Sequence, residues 1–329
     1  MSLDPHLNID EKMAGYFNYK LALKWIIVVA IFIFLGKMVW NNWDQVKNTP
    51  FALQPFPLVL SIFIFALSYF IQIWAWYLIT LRLRVALSPS DTLRSWFYSQ
   101  LGKYLPGKVW LLLGRFYFYE SKGKSRKTVS VALYLEMATM TMAAGLVFLV
   151  TLLFHGERGL SSSWRLWGWL VPLFLLGFIS LHPRFLQKIL NWLLILLKRE
   201  SVSLSISYAD ILWILSVCVV CWVVGGIGFY FFVDAVYPVA PQYFLFLTGA
   251  LAISSMLGLV AIFAPAGLGV REGTLVYLLS FVMAAPIAVI VSILTRIWMT
   301  LIEIGLIGMI YLLEQFQKQG TKKPYGKAS

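Results

Sequence analysis

The sequence has few of the residues that soluble proteins present to water. Charged side chains make up 12% of its 329 residues, hydrophobic residues make up 60%, and the mean hydropathy is +0.80. An ordinary soluble domain is about 25% charged. The apolar runs also leave no polar block long enough for a sizeable soluble domain. The composition therefore predicts a protein that has lipid as part of its solvent.

Histidine and cysteine are equally scarce. The three histidines are far apart, and Cys218 and Cys221 form a C-V-V-C inside an apolar run, where they are expected to be small packing residues. No H-E-x-x-H motif occurs. The segment G-L-G-V-R-E-G has Glu272 where a dinucleotide-binding fingerprint requires its third glycine. We therefore expect neither a metal site nor a cofactor, and no catalytic residue is assigned.

Long apolar stretches predict an all-α integral membrane protein with about eight transmembrane helices. We expect a cytoplasmic N-terminal segment at 1–20, one polytopic transmembrane domain at 21–313 and a cytoplasmic basic tail at 314–329. The start of the sequence lacks the order of a cleavable signal. Residues 264–286 also fit a re-entrant hairpin. The predicted spans lie near 21–40, 57–81, 128–154, 165–182, 209–233, 243–263, 268–285 and 286–313.

Lysine and arginine predict the orientation. The formal net charge is +13, and segment 82–127 contains ten basic residues against Asp91 and Glu120. Because basic loops stay in the cytoplasm, we expect this segment and both termini to be cytoplasmic. This distribution between apolar spans explains the positive charge without a nucleic-acid partner.

Two segments are apolar but broken by glycine and proline. They lie near 93–119 and 264–273, and each combines Pro, Gly and a cation. Irregular backbone at membrane depth is tolerated where it is buried in protein or lines a watery cavity, so we expect re-entrant segments beside a cavity. An interfacial amphipathic helix is the alternative for 93–119. Since each segment follows a span predicted to end at the cytoplasmic side, two parallel four-span halves are expected.

Five ionisable residues are predicted to lie at membrane depth: Glu136, Arg271, Glu272, Arg296 and Glu303. Each would cost a few kcal/mol if it faced lipid, so each is expected to have a partner. Arg296 and Glu303 are seven residues apart on one helix, too far for a direct ion pair, and Glu136 or Glu272 could pair with Arg296. Buried pairs that only fix the helix register are the alternative to a functional site.

Two motifs carry a resemblance to a known family. The block G-K-Y-L-P-G-K at 102–108, with Arg115 after it, and the block P-A-G-L-G-V-R-E at 265–272 resemble the flippase-like transmembrane region of bacterial lysylphosphatidylglycerol synthases. The similarity covers roughly residues 20–315, and Ala266 stands where the family usually has glycine. The resemblance implies a helical membrane fold that moves or binds amphiphilic lipid in a bacterial or archaeal cytoplasmic (inner) membrane. The aminoacyl-transfer reaction of larger relatives belongs to a separate cytoplasmic domain and is not expected of this sequence.

We therefore expect a lipid translocator or lipid-binding transporter for an amphiphile with an anionic head group. A membrane-embedded lipid-modifying transferase and a non-transporting scaffold for a lipid-synthesis enzyme are the alternatives. The expected partners are membrane lipids, anionic or lipid-linked, with a homo-oligomer or a lipid-synthesis enzyme also allowed. The expected substrate-binding residues are Lys103, Lys108, Arg115, Arg271 and Arg296. A structural or charge-relay role is expected for Gly102, Pro106, Gly107, Glu136, Pro265, Gly267, Gly269, Glu272 and Glu303.

Overall fold

The structure is a computed structural model that describes mainly residues 53–104, 109–154, 206–261 and 267–321, together with 43–48 and scattered single positions. Every regular element in these ranges is a helix. We number the α-helices as α1 Trp43–Lys47, α2 Pro55–Arg82, α3 Pro89–Gln100, α4 Val109–Ser121, α5 Arg126–Phe154, α6 Tyr208–Val236, α7 Phe244–Val260, α8 Val270–Leu279 and α9 Ala285–Thr321.

Five helices are long and apolar enough to cross a membrane. They are α2, α5, α6, the stretch Pro241–Val260 that contains α7, and α9 as far as Phe316, and by length and composition they match five of the predicted spans. The spans predicted near 21–40 and 165–182 fall almost entirely outside the described residues. The crossing predicted at 268–285 is not found. Instead, α8 has 10 residues, so it is about 15 Å long, half the thickness of the hydrocarbon core.

Local sequence signals explain where these helices begin. Ser207 caps α6 by accepting a hydrogen bond from the backbone N–H of Asp210, whose carboxylate accepts from the N–H of Ser207 in return. Ser88 caps α3 in the same way through the N–H of Asp91. Proline occupies the first turn of α2 and α3, where its missing N–H has no helical partner to lose.

Contacts between helices give their relative directions. The N–H of Gln54 before α2 donates to the carbonyl of Ala235 near the end of α6 (3.0 Å), while Arg82 at the end of α2 pairs with Asp210 at the start of α6 (3.1 Å). Helices α2 and α6 are therefore antiparallel along their whole length. Trp222 of α6 donates to the carbonyl of Met140 of α5 (3.0 Å), near the middle of both helices.

Aromatic side chains join α9 to the rest of the bundle. The ring of Trp298 lies 4.6 Å from those of Phe65 on α2 and Phe232 on α6, and its indole N–H donates to Ser61 (3.1 Å). Helix α6 packs closely on α2 at Gly228, where an added Cβ would lie 2.9 Å from the backbone nitrogen of Phe65. At Gly305 and Gly308 of α9, by contrast, an added Cβ would have no described atom within 4 Å.

Candidate functional site

Helices α3 and α4 form the first hairpin. Gly114 packs on Ser99, since a Cβ added to Gly114 would lie 3.5 Å from the Cα of Ser99. A Cβ added to Gly102 would lie 2.5 Å from the backbone nitrogen of Leu111. These contacts pair the end of α3 with the start of α4, so the helices are antiparallel. The base of the hairpin holds the ion pair Lys122–Asp91 (3.0 Å), and the hydrogen bond from Lys122 lowers the pKa of Asp91.

Helices α7 and α8 form the second hairpin. The rings of Phe246 and Phe281 are 6.4 Å apart at its open end, and the start of α8 packs on Gly258 near the end of α7. The turn needs glycine at 267 for two reasons. Gly267 has φ +71°, and a Cβ there would lie 2.5 Å from the carbonyl oxygen of Gly258.

The two hairpins enter the bundle from opposite ends. The first hairpin enters beside the end of α9, where Arg94 of α3 pairs with Glu314 (2.9 Å). The second begins at the far end of α5, where Thr151 donates to the carbonyl of Leu245 (2.9 Å). The expected parallel relation between the broken segments is therefore wrong. It assumed that both segments follow spans that end at the same face, whereas α3 and α7 enter the bundle from opposite ends.

The tips of the hairpins meet at a cavity of about 380 Å³. In α2 and α9 the cavity lies beside residues near the middle of each helix, Tyr69 and Gln72 in one and Thr300 in the other. The cavity is therefore near the mid-depth of the bundle. Its polar lining residues are Tyr69, Gln72, Gln100, Arg115, Glu136, Ser255, Arg271, Arg296, Thr300 and Glu303, and its apolar ones are Leu111, Leu112, Leu133, Met137, Met140, Met256, Leu259 and Met299, with Gly258 between them.

Arg115 joins the first hairpin to α5. Its side chain is 1% exposed and forms a buried ion pair with Glu136. The Nε of Arg115 donates to Ser99 (3.1 Å), and its guanidinium lies 4.3 Å from the ring centroid of Trp76. Trp96 donates its indole N–H to the other carboxylate oxygen of Glu136 (3.0 Å). Both oxygens of Glu136 thus accept hydrogen bonds from the protein, and the guanidinium of Arg115 has an ion pair, a hydrogen bond and a stacking contact. These interactions favour a structural role for this pair.

Arg296 joins the second hairpin to α9 through Glu272. One amino group of Arg296 lies 2.6 Å from Glu272 Oε1, and the backbone N–H of Gly269 donates to Oε2 (2.7 Å). This confirms the expected pairing of Arg296 across helices, and it shows that the carboxylate of Glu272 caps the start of α8. Glu272 is 2% exposed and, among the described residues, does not line the cavity.

Arg271 follows the same turn but has a different environment. Its guanidinium lines the cavity, and an amino group contacts the sulfur of Met299. In the described part of the chain, Arg271 forms no ion pair with a carboxylate, in contrast to Arg115 and Arg296. Glu303 lines the same cavity and is 1% exposed. Arg271 is therefore the cavity cation whose guanidinium is least occupied by protein acceptors.

The structure brings five of the predicted site residues to this cavity: Arg115, Glu136, Arg271, Arg296 and Glu303. Gly102, Gly267, Gly269 and Glu272 shape the hairpin turns beside it. Pro106, Gly107, Lys108 and Pro265 lie outside the described residues, as does the side chain of Lys103.

Sequence reasoning missed the tryptophans around Arg115 and the cavity lining of Tyr69, Gln72, Gln100, Ser255 and Thr300. The two glutamines and Ser255 lie in or beside apolar runs, so polarity at membrane depth could have identified them.

The chain was also compared with known proteins. A family model described as the lysylphosphatidylglycerol synthase TM region matches residues 22–308, which include both hairpins and the cavity. A search of curated proteins found no match.

Proposed function

The chain belongs to the family of the lysylphosphatidylglycerol synthase TM region, and on that premise we propose that it is a lipid-binding transporter, a flippase-like translocator of an amphiphile with an anionic head group. Membership supports a role in lipid handling. The choice of an anionic head group comes from the chemistry of the cavity, which lies at the level where the two hairpins meet.

Arg271 is the observation that carries this proposal. A guanidinium at membrane depth is costly without a counter-charge, and this one faces a cavity with no carboxylate bound to it among the described residues. A phosphate or carboxylate ligand could pair with this guanidinium through two parallel hydrogen bonds, since guanidinium donors match planar pairs of oxygens.

The apolar part of the cavity supports an amphiphile rather than a simple anion. Four leucines and four methionines line it beside the polar residues. Methionine side chains adapt to irregular apolar ligands because they are unbranched and polarizable. A volume of about 380 Å³ is at the lower end of the roughly 300–1,000 Å³ typical of small-molecule pockets. The cavity therefore suits a head group and the adjoining part of a lipid, with the acyl chains outside.

The alternatives fit the cavity less well. A scaffold needs no cavity lined by a cation at mid-depth. A transferase would need a carboxylate free to act as a base, but both oxygens of Glu136 and both oxygens of Glu272 accept hydrogen bonds from the protein. These bonds argue against proton abstraction by Glu136 or Glu272.

We further propose that the protein lies in the cytoplasmic (inner) membrane with both termini in the cytoplasm. The basic segment 82–127 supports this orientation. If the stretches near 21–40 and 165–182 each cross, they and α2, α5, α6 and α9 give six crossings. The two hairpins would then replace the remaining two of the eight predicted spans.

The proposal is tested by measuring the lipid that remains bound to purified protein and the lipid that it moves. Wild type, Arg271→Gln and Arg82→Gln would be compared by native mass spectrometry and by translocation of fluorescent phosphatidylglycerol or phosphatidylcholine in vesicles. Arg82→Gln is the matched control, because it removes the same charge from the end of α2, where the side chain is 52% exposed.

We expect Arg271→Gln to lose at least tenfold in retention and translocation of phosphatidylglycerol, with the control unchanged. Equal retention of both lipids by wild type would overturn the anionic preference. Retention of phosphatidylglycerol by Arg271→Gln at the wild-type level would overturn the assignment of Arg271.

A further inference from the structure

We infer that the chain consists of two inverted halves and that the two hairpins are equivalent gates, which open the cavity toward opposite faces of the membrane. This inference rests on the proposed transport function. The first half is the order α2, hairpin α3/α4, α5, and the second is α6, hairpin α7/α8, α9. Each half is therefore a long helix, a broken hairpin and a second long helix.

The directions of these elements are reversed between the halves. Helix α2 runs antiparallel to α6, as the contacts at both of their ends require. The first hairpin enters beside Glu314 at the end of α9, and the second enters from the end where α5 finishes. A twofold axis between α2 and α6, lying in the membrane plane, would therefore exchange the halves. Such inverted repeats place a substrate site at mid-depth between discontinuous helices, which is where this cavity lies.

The buried ion pairs give independent support because they occupy corresponding positions. In the first half Arg115 of the returning helix α4 pairs with Glu136 of α5, and in the second Glu272 of the returning helix α8 pairs with Arg296 of α9. Glu136 lies ten residues after the first residue of α5, and Arg296 lies eleven after the first residue of α9. The two pairs thus join each hairpin to the following long helix at a corresponding position. The arginine lies on the hairpin in the first half and on the long helix in the second.

This arrangement assigns a separate gate to each pair. The pair Arg115–Glu136 holds the first hairpin against α5 and closes the cavity toward the end of the bundle that holds Arg94 and Glu314. The pair Glu272–Arg296 holds the second hairpin against α9 and closes it toward the opposite end. Breaking one pair at a time should therefore expose the same cavity from opposite sides.

A cysteine at Ser255 can report this, because Ser255 lines the cavity. Cys218 and Cys221, which are buried and free, would first be changed to alanine. The reporter would be combined with Arg115→Gln/Glu136→Gln or with Glu272→Gln/Arg296→Gln. A membrane-impermeant maleimide would then be applied to either face of oriented vesicles. Both variants remove two opposite charges, so each is the control for the other.

We expect a several-fold faster reaction in each double variant, from one face in the first and from the opposite face in the second. Acceleration from the same face in both, or in neither, would overturn the inference. If a double variant does not fold, Arg115→Lys and Arg296→Lys keep the charge but lose the forked geometry, and the same opposite sidedness is required of them.

Bound lipid would be measured on the same samples. If wild type and both variants hold no anionic lipid, the proposed function fails, while opposite sidedness of labelling would still establish the two gates. If anionic lipid is bound but the sidedness is equal, the inference fails and the proposed function stands.

Discussion

The ion pair between Arg115 and Glu136 allows a quantitative prediction about stability. Both side chains are buried, at 1% and 9% exposure, so neither charge has bulk water as a substitute partner. Removing one partner of such a pair typically costs about 3–5 kcal/mol, because the other charge stays buried without compensation. We therefore expect Glu136→Gln to lower the free energy of unfolding by about 3–5 kcal/mol.

Removing both charges should cost far less. In Arg115→Met/Glu136→Gln no charge remains buried and the side-chain amide oxygen at 136 can still accept from Trp96, so the main loss is the stacking of the guanidinium on Trp76, 4.3 Å away. A desolvated cation–π contact is worth about 2 kcal/mol. The double variant should therefore be destabilised by about 2 kcal/mol, which is less than Glu136→Gln alone.

The measurement is a double-mutant cycle followed by unfolding in mixed micelles of detergent and SDS. A parallel cycle on Arg82 and Asp210 is the control, since Arg82 is 52% exposed and a surface pair is worth at most about 1 kcal/mol. If the loss in the buried double variant equals the sum of the single losses, the two residues are not coupled and the reasoning fails.

Other expectations follow from the turns, the packing and the charge distribution. Glu272→Gln should lower the melting temperature, because it weakens the bond to the N–H of Gly269, while Arg271→Gln should melt near wild type. Equal losses in the two variants would indicate that both residues have only a structural role. Gly228→Ala should lower the free energy of unfolding by about 1–3 kcal/mol through overpacking against Phe65. Gly305→Ala, whose added methyl group meets no described atom, should change the free energy of unfolding by less than about 0.5 kcal/mol. Denaturant titration of both variants measures the difference. In topology mapping with an impermeant thiol reagent, external labelling is expected for cysteines at Lys47, Arg158 and Asp234 and none for those at Lys124, Lys198 and Lys322, and external labelling at Lys124 would reverse the orientation.

Much of the fold was predictable because hydrophobic length reports directly on membrane crossing. The long apolar helices α2, α5, α6, α7 and α9 were identified from apolar runs alone. The hairpin formed by α7 and α8 was not, because a run that turns back at mid-depth has the same composition as one that crosses. The contacts of Gly258 with Gly267 and with Arg271 show that the chain reverses there.

The site residues were predictable for a related reason. A charge inside an apolar run is conspicuous, so the cavity glutamates and arginines were found from the sequence. Their pairing was not, since Glu136 and Glu272 were equal candidates for Arg296 until the hairpin directions were known. The tryptophan that stacks on Arg115 lies on α2, 39 positions earlier in the sequence, and no sequence signal links the two.

The depth of the first hairpin also has a consequence for membrane voltage. Helix α3 has 12 residues, so it is about 18 Å long, more than half of a hydrocarbon core about 30 Å thick. An electric field concentrates across the thinnest insulating layer, so a water-filled approach along this hairpin would focus the membrane potential on the short stretch beyond the cavity. A charge crossing that stretch would then gain or lose most of the roughly 2.3 kcal/mol that each 100 mV supplies. Movement of an anionic head group over a few ångströms would thus be electrogenic, and its rate would depend on voltage.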